Sequence, residues 1–274
     1  MNSIQDTVTL HNGVKMPQVG LGVYKVTDDQ EVETAVKEAL KVGYRSVDTA
    51  SFYGNEEAVG RAIRDSGVPR ETLFITTKVW NDEQGYESTL EAFERSRHKL
   101  GLEIIDLYLI HWPIKETFQE TWRALEKIYE EGKVRAIGVS NFLPHHLEAL
   151  LPHSTIVPMV NQVEYHPWLT QLDLHAYCNE NHIQLEAWSP LTRGRKLDDP
   201  FLLELAKKYG KTPAQIILRW DLQQGVVTIP KSVTPARIQE NADIFDFSLT
   251  EEDQKKLSEL NEERRFGSHP DEIF

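Results

Sequence analysis

Four side chains that could pass a proton to a carbonyl oxygen lie at, or just after, the ends of three apolar segments. Asp48 ends YRSVD, Lys78 ends LFITTK and His111 ends IIDLYLIH, while Tyr53 follows Asp48 by five residues. The three ends are 30 and 33 residues apart, roughly the length of one strand-and-helix unit of a parallel barrel. Neighbouring parallel strands end at the same edge, so we expect these four side chains to converge.

The predicted group suits acid catalysis at a carbonyl. A carboxylate such as Asp48 keeps a dehydrated lysine charged, and the ammonium of Lys78 then pulls the pKa of Tyr53 down from about 10 towards the working range. A neutral His111 could donate a hydrogen bond to the same carbonyl oxygen. The alternative is a structural ion pair beside a surface tyrosine. The other histidines share no ligand spacing with an acidic residue, so we expect no metal site.

The segment TIPKSVTPARIQEN is typical of a phosphate site. Lys231, Ser232 and Thr234 precede a helix that carries Arg237. In barrels, the loops after the last two strands and a following helix N-terminus commonly bind phosphate. We therefore expect a basic patch here, and the alternative is a solvated positive face. The predicted patch comprises Arg193, Arg195, Lys196, Lys231 and Arg237.

Amide and aromatic side chains separate these two groups along the chain. Asn141 ends the segment GVSN, and Gln162 lies in NQVEYH. The side-chain amide of each can satisfy both the donor and the acceptor of another amide. Trp188, in AWSPL, offers a flat face for stacking. A planar ring that carries an amide, joined to a distant phosphate, is a nicotinamide dinucleotide, although core packing alone could explain Trp188.

The hydrophobic pattern predicts the elements that would position these residues. Asn12-Gly13 favours a β-hairpin at the N-terminus. From Gln18 onwards, eight strand-then-helix units alternate, and SLTEEDQKKLSELN adds a final helix with Thr250 as its N-cap. We predict an α/β fold, a (β/α)8 TIM barrel in a single domain over residues 1–274. An open doubly wound sheet is the alternative, but the G-x-G-x-x-G pattern breaks at Lys25.

Composition limits the setting in which the chain works. The formal charge of −13 disfavours binding to nucleic acid or to an anionic membrane surface. The one cysteine, Cys178, excludes an intrachain disulfide and suits a reducing compartment. The N-terminal residues lack a signal-peptide pattern, and no run of 18 apolar residues occurs. We expect a cytoplasmic protein, and Cys178 is expected to be a buried small hydrophobic residue.

Over nearly its full length, the sequence resembles the aldo-keto reductase superfamily. It is most similar to bacterial members that reduce glyoxal, methylglyoxal or 2,5-diketo-D-gluconate. The segments that carry the resemblance are GLGVYKV, RSVDTASFYGNEEAVG, ITTKVW, LYLIHWP, IGVSNF, NQVEYHP, WSPL and IPKS with RIQEN.

The resemblance implies a role for each matching position. Tyr53 would be the proton donor, assisted by Lys78 and Asp48, and His111 would orient the carbonyl. Tyr24, Trp80 and Trp112 would line the substrate pocket with Tyr53 and His111. The implied NADPH-binding residues are Gly22, Val23, Tyr24, Asp48, Ser140, Asn141, Gln162, Trp188, Ser189, Leu191, Arg193, Ile229, Lys231, Ser232, Val233, Thr234, Arg237, Glu240 and Asn241.

Within that set, the resemblance separates three parts of the cofactor. Ser140, Asn141 and Gln162 would bind the nicotinamide carboxamide, with Trp188 under the ring. Lys231, Ser232 and Arg237 would hold the 2′-phosphate, with Glu240 and Asn241 on the adenine. Family members often have tyrosine where this chain has Trp188, and the loop LTRGRKLDD that follows is unusually rich in arginine.

The expected function is NADPH-dependent reduction of small aldehydes or ketones, glyoxals and keto sugars included, by a monomer. Three alternatives stay open at the level of sequence. The first is a non-catalytic subunit of the same fold that senses nicotinamide nucleotides. The second is a metal-assisted barrel hydrolase, which the absence of His-x-His at an early strand end disfavours. The third is a preference for NADH over NADPH.

Overall fold

The computed structural model describes residues 3–273. The chain begins with a hairpin of β1 (Thr7–Thr9) and β2 (Lys15–Pro17), paired antiparallel. The turn between them uses Gly13 at φ +88°, a left-handed conformation that glycine adopts without strain. The predicted N-terminal hairpin is therefore confirmed.

Eight parallel strands follow, and each pairs with the strand next to it in the chain. The sheet closes on itself because the first of these strands also meets the last. Gly20 N donates to Thr228 O at 3.0 Å, and Gly22 N donates to Pro230 O at 3.2 Å. The strands are β3 (Leu21–Gly22), β4 (Ser46–Asp48), β5 (Phe74–Val79), β6 (Ile105–Ile110), β7 (Val134–Ser140), β8 (Val160–Glu164), β9 (Gln184–Trp188) and β10 (Val227–Thr228).

Helices connect successive strands, as a parallel sheet requires. Two helices lie between β9 and β10, and one follows the helix after β10, so the predicted (β/α)8 barrel with an extra C-terminal helix is confirmed. The helices are α1 (Asp29–Val42), α2 (Glu56–Asp65), α3 (Tyr86–Leu100), α4 (Phe118–Glu130), α5 (Pro144–Leu150), α6 (Leu172–Glu180), α7 (Pro200–Tyr209), α8 (Pro213–Gln223), α9 (Pro235–Ala242) and α10 (Glu251–Ser258).

Helix α1 shows how the sequence specifies these elements. Five of its apolar residues recur at helical spacing and are buried: Val32, Ala35, Val36, Ala39 and Leu40. The Asp28 side chain caps the start by accepting from Glu31 N at 2.9 Å. Gly43 ends the helix at φ +121°, which a side chain would disfavour. Thr250 caps α10 in the same way, by accepting from Asp253 N at 3.2 Å, as predicted.

Glycine occupies the position where the first and last strands of the barrel, β3 and β10, come close together. A Cβ on Gly22 would stand 2.9 Å from Ile229 O, across the seam between β3 and β10. The strand residues are buried almost throughout, from Ser46 on β4 to Thr228 on β10. Because the strands are parallel and the sheet is closed, the carboxyl ends of all eight strands meet at one mouth.

Within residues 3–273, no helix combines the length and the apolar character needed to cross a membrane.

Gly60 makes the close packing of α2 on α3 possible, and this can be tested. A Cβ at this position would lie 2.3 Å from Leu100 O, where backbone cannot yield easily. We expect Gly60→Ala to lower the free energy of unfolding by roughly 1–3 kcal/mol, measured by urea denaturation. The control is Glu57→Ala on the exposed face of α2, where we expect a change below about 0.5 kcal/mol. Equal stability of the two variants would contradict the packing argument.

Candidate active site

The four residues proposed for acid catalysis meet at the mouth of the barrel. Asp48 ends β4, Lys78 is the penultimate residue of β5, and His111 follows β6 directly. Tyr53 ends a short 3-10 turn, Ser51–Tyr53, that leads from β4 to α2. The sequence-based prediction of their convergence therefore agrees with the structure.

A buried ion pair organises this group. Lys78 Nζ lies 2.7 Å from Asp48 Oδ1 and donates to Thr49 O at 2.9 Å. The lysine is fully buried and the aspartate nearly so. Burial is the largest single influence and disfavours the charged amine. The charge and hydrogen bond of Asp48, with smaller contributions from Tyr53 and Glu186, together outweigh it, so the pKa of Lys78 stands above its ordinary value. The ammonium thus persists inside the barrel.

Tyr53 extends its phenol to this ammonium. Its hydroxyl lies 3.4 Å from Lys78 Nζ, and the ammonium is also 5.0 Å from the centre of the ring. Burial raises the pKa of Tyr53 to about 12, and the lowering by Lys78 does not offset it. The expectation of a pKa below 10 is therefore wrong for this site, because it neglected desolvation. The phenol keeps its proton at neutral pH, which is the state that a proton donor needs.

His111 is neutral for a related reason. Burial, with a smaller contribution from the charge of Lys78, holds the pKa of His111 well below its usual range. Its Nδ1 is buried without a hydrogen-bond partner among the described residues. The imidazole packs edge-on against Trp80, with ring centres 5.0 Å apart, and against Tyr53 at 5.8 Å. A neutral imidazole beside a phenol can donate to the oxygen that the phenol protonates.

Gln162 links the ion pair to the next strand of the barrel. Its Nε2 donates to Asp48 Oδ2 at 2.7 Å and to Glu186 Oε2 at 2.9 Å. Sequence reasoning selected Gln162 but missed Glu186, which lies on β9 in register with it. A glutamate in the apolar strand QLEAW was the available signal.

Asn141 and Trp188 form one hydrogen-bonded unit on the adjoining strand ends. Trp188 Nε1 donates to Asn141 Oδ1 at 2.8 Å, and Asn141 Nδ2 donates to His111 O at 3.0 Å. Asn141 is held in the left-handed region at φ +65°, a conformation that asparagine tolerates better than most residues. Ser140 Oγ, beside it, donates to Gln162 O at 2.7 Å. The indole face is thereby fixed at the mouth.

The C-terminal tail supports Trp188, which the sequence did not predict. A Cβ on Gly267 would lie 2.3 Å from the Trp188 ring, so the tail backbone packs on the indole edge. The buried carboxylate of Glu164 holds this backbone by accepting from Phe266 N at 2.7 Å and Gly267 N at 3.0 Å. The contact joins residues about a hundred positions apart, so no local pattern could reveal it.

Aromatic side chains wall the open side of the mouth. Tyr24, Trp80 and Trp112 are partly exposed there, and the rings of Tyr24 and Tyr53 are 5.0 Å apart. Phe52 was not predicted, yet it stacks on Trp80 with ring centres 3.8 Å apart and is half exposed. Its position directly before Tyr53 was the signal in the sequence.

The predicted phosphate end lies in the loop after β10 and the start of α9. Lys231 and Arg237 are exposed, and neither forms an ion pair within residues 3–273. Ser232 Oγ accepts from Thr234 N at 3.2 Å and shapes the turn into α9. Glu240 Oε1 accepts from the hydroxyl of Thr212 at 2.9 Å. The two free cations flank a helix start that has no side-chain cap.

The predicted basic patch is smaller than expected. Lys196 pairs with Glu262 at 3.2 Å, and the guanidinium of Arg195 lies 5.7 Å from the centre of the Phe266 ring. Both side chains thus face the C-terminal tail, and Arg193 is exposed in a strained turn at φ +54°. The other positions that the resemblance implied for the cofactor lie at or after strand ends, except Asn241, which is buried on α9. Gly22 ends β3 and Val23 follows it, Ser189 and Leu191 come after β9, and Ile229 and Val233 come after β10.

A separate group of possible metal ligands lies away from the mouth. His145 Nε2 and His146 Nε2 are 2.9 and 3.1 Å from Asp271 Oδ1. Nδ1 of His146 accepts from Leu143 N at 3.0 Å, which leaves the ring proton on Nε2. A protonated nitrogen offers no lone pair to a metal, so this group instead anchors the C-terminal tail by hydrogen bonds.

Cys178 is buried on α6, and burial raises the pKa of its thiol to about 12.

Comparison with known proteins assigns this chain to a family. The model of the aldo/keto reductase family matches residues 18–262. Glyoxal reductase of Bacillus subtilis is 60% identical over 272 residues, covering 99% of each chain. Methylglyoxal reductase DkgA of Escherichia coli is 46% identical over 270 residues, covering 97% of each chain. The crystal structure of a Gox0644 mutant in complex with NADPH superposes with a TM-score of 0.94 at 44% identity, covering 98% of this chain and 99% of that one.

The buried ion pair can be tested through its contribution to stability. We expect Lys78→Met and Asp48→Asn each to lower the free energy of unfolding by about 3–5 kcal/mol, because each leaves a buried partner uncompensated. The double variant should lose less than the sum of the two, as measured by urea denaturation. The control is the exposed pair of Arg123 and Glu120, 2.9 Å apart, whose Arg123→Met and Glu120→Gln cycle should show coupling below about 0.5 kcal/mol. Additive losses at the buried pair would contradict the argument.

Proposed function

This chain belongs to the aldo/keto reductase family and is an oxidoreductase, and from that premise we propose that it reduces small aldehydes and ketones with NADPH. The observation that carries the proposal is the phenol of Tyr53, 3.4 Å from an ammonium that Asp48 keeps charged at the barrel mouth. A phenol held in this way can protonate a carbonyl oxygen as negative charge develops on it.

The residues of the chain would divide the reaction among them. His111, neutral, donates a hydrogen bond to the carbonyl oxygen and fixes its direction. Tyr53 gives its proton to the same oxygen, and the phenolate that remains is stabilised by the ammonium of Lys78. Asp48 holds that ammonium in place and keeps it charged. The reaction needs no metal ion in this scheme, since the charge on the oxygen is neutralised by a proton.

The residues present fit NADPH. When bound, this cofactor supplies the hydride that the carbonyl carbon receives. Lys231 and Arg237 are cations without an acidic partner among the described residues, as a 2′-phosphate requires. Gln162 uses Nε2 for two acidic side chains, Asp48 and Glu186, so its Oε1 is the atom left to accept from a carboxamide. Trp188 would lie against the nicotinamide ring, and the seam residues from Gly22 to Tyr24 would border it.

Small dicarbonyls are the substrates that we propose. The glyoxal reductase at 60% identity and the methylglyoxal reductase at 46% support this class. Phe52 and Trp80 stack over the mouth and leave an aromatic wall beside His111 that suits a compact, planar carbonyl. Neither of these relatives is a nucleotide-sensing subunit, so that alternative gains no support.

Tyr53→Phe tests the proton donor. We expect kcat for methylglyoxal reduction to fall by about 10²–10⁴-fold, the contribution of a general acid, while the NADPH dissociation constant stays within about twofold. Cofactor binding is measured by fluorescence titration and kcat by oxidation of NADPH. The control is Tyr177→Phe on α6, which should change neither quantity. A Tyr53→Phe enzyme with wild-type kcat would exclude Tyr53 from the chemistry.

Arg237→Ala tests the phosphate end and the choice of cofactor. Loss of a charge-assisted hydrogen bond should weaken NADPH binding by roughly 10- to 100-fold and leave NADH binding within about twofold. The loss should shrink as the salt concentration rises, because the guanidinium is exposed. Arg264→Ala, an exposed arginine in the tail, is the control. Equal weakening of NADPH and NADH would place the 2′-phosphate elsewhere.

A further inference from the structure

Glu186 is a buried carboxyl group that the proposed reaction does not use. It lies on β9 inside the barrel and is about 1% exposed. Its Oε2 accepts from Gln162 Nε2 at 2.9 Å, and its Oε1 is buried with no partner among the described residues. Placing a carboxyl group there costs free energy, so it needs a physical explanation.

The contacts of Gln162 give that explanation. Its Nε2 carries two hydrogens, one donated to Asp48 Oδ2 at 2.7 Å and the other to Glu186 Oε2 at 2.9 Å. With both hydrogens engaged, the amide cannot exchange its nitrogen for its oxygen without losing two bonds. Asp48 alone would hold one hydrogen and leave the amide plane free to turn.

We propose that Glu186 is a positioning residue of the carbonyl-reducing site, which clamps the Gln162 amide against Asp48 so that Gln162 presents only an acceptor oxygen to the nicotinamide carboxamide. The inference rests on the proposed function, since it concerns how the same cofactor is held. Glu186 itself touches neither the cofactor nor the substrate in this arrangement.

Burial and the nearby charge of Asp48 keep Glu186 neutral at pH 7. Burial, reinforced by the charge of Asp48, raises the pKa of Glu186 to about 8, and the opposing effects of Gln162 and Lys78 are smaller. Its neighbours in the sheet are Gln162 on β8 and Val227 on β10, neither of which carries a charge. Asp48 and Lys78 therefore balance each other beside a protonated Glu186, and the group as a whole has no net charge.

Ionisation of Glu186 should oppose the chemistry. Above about pH 8 the carboxyl group loses its proton and adds a second negative charge next to Asp48. That charge disfavours the phenolate that Tyr53 becomes after giving up its proton. The rate of carbonyl reduction should therefore fall as the pH rises through this range.

Glu186→Leu tests the clamp. It removes the acceptor for one Gln162 hydrogen, and we expect NADPH to bind about fivefold more weakly, the usual effect of one hydrogen bond. Adenosine 2′,5′-bisphosphate, which lacks the nicotinamide, should bind within about twofold of the wild type. Unchanged NADPH affinity, or equal weakening of both ligands, would overturn the proposal, because the effect would not concern the nicotinamide.

Glu186→Gln tests the protonation state with a neutral side chain of the same shape. Its amide oxygen can accept from Gln162, so NADPH affinity at pH 7 should stay within about twofold of the wild type. The variant cannot ionise, and kcat should hold to a higher pH than in the wild type. Coincident pH profiles would overturn the role of ionisation, and this variant also decides the case if Glu186→Leu does not fold.

A measurement without cofactor separates this inference from the proposed function. The infrared carbonyl stretch of a protonated carboxylic acid should be present in the wild type at pH 7 and should weaken as the pH rises through about 8. In Glu186→Gln, the spectra recorded below and above pH 8 should show no such change. No such band at pH 7 would overturn the neutral Glu186. A wild-type protein that neither binds NADPH nor reduces methylglyoxal would instead refute the proposed function.

Discussion

Lys78 keeps its charge inside the barrel because Asp48 lies 2.7 Å away, and the rest of the mouth is arranged around that pair. A buried ammonium without this carboxylate would lose its proton. Each partner uses its remaining atoms: the lysine reaches Thr49 O and the Tyr53 hydroxyl, and the aspartate accepts from Gln162. The Asp48 carboxylate therefore keeps the positive charge of Lys78 next to the Tyr53 phenol, where negative charge would develop.

Barrel closure makes that pair possible. Asp48 and Lys78 lie on neighbouring parallel strands, and only the common orientation of the strands brings both side chains to one edge. The seam between β3 and β10 depends on glycine, since any side chain at Gly22 would push on the carbonyl of Ile229. Gly22 also pairs in register with Asp48, so the close approach of the strands at the seam helps to set the distances at the mouth.

The sequence predicts what depends on period and order along the chain. Alternating strand and helix patterns indicated the eight-stranded barrel, and strand ends located the four mouth residues. Contacts between distant segments left no such signal: Gly267 packs on Trp188, and Lys196 pairs with Glu262, only when the chain has folded. The pKa of Tyr53 was predicted in the wrong direction, because nearby charges can be inferred from sequence but the degree of desolvation cannot.

The two ends of the site have opposite electrostatic requirements, which explains why they are built differently. At the phosphate end, Lys231 and Arg237 are exposed, so their charges are solvated until a phosphate arrives and salt can screen them. At the reacting end, every charge is buried and must be matched inside the protein. Asp48 and Lys78 cancel, and a third carboxyl group, Glu186, can be tolerated beside them only as the neutral acid. A site of this kind can supply one proton from Tyr53 without a change in the net charge of the groups behind it.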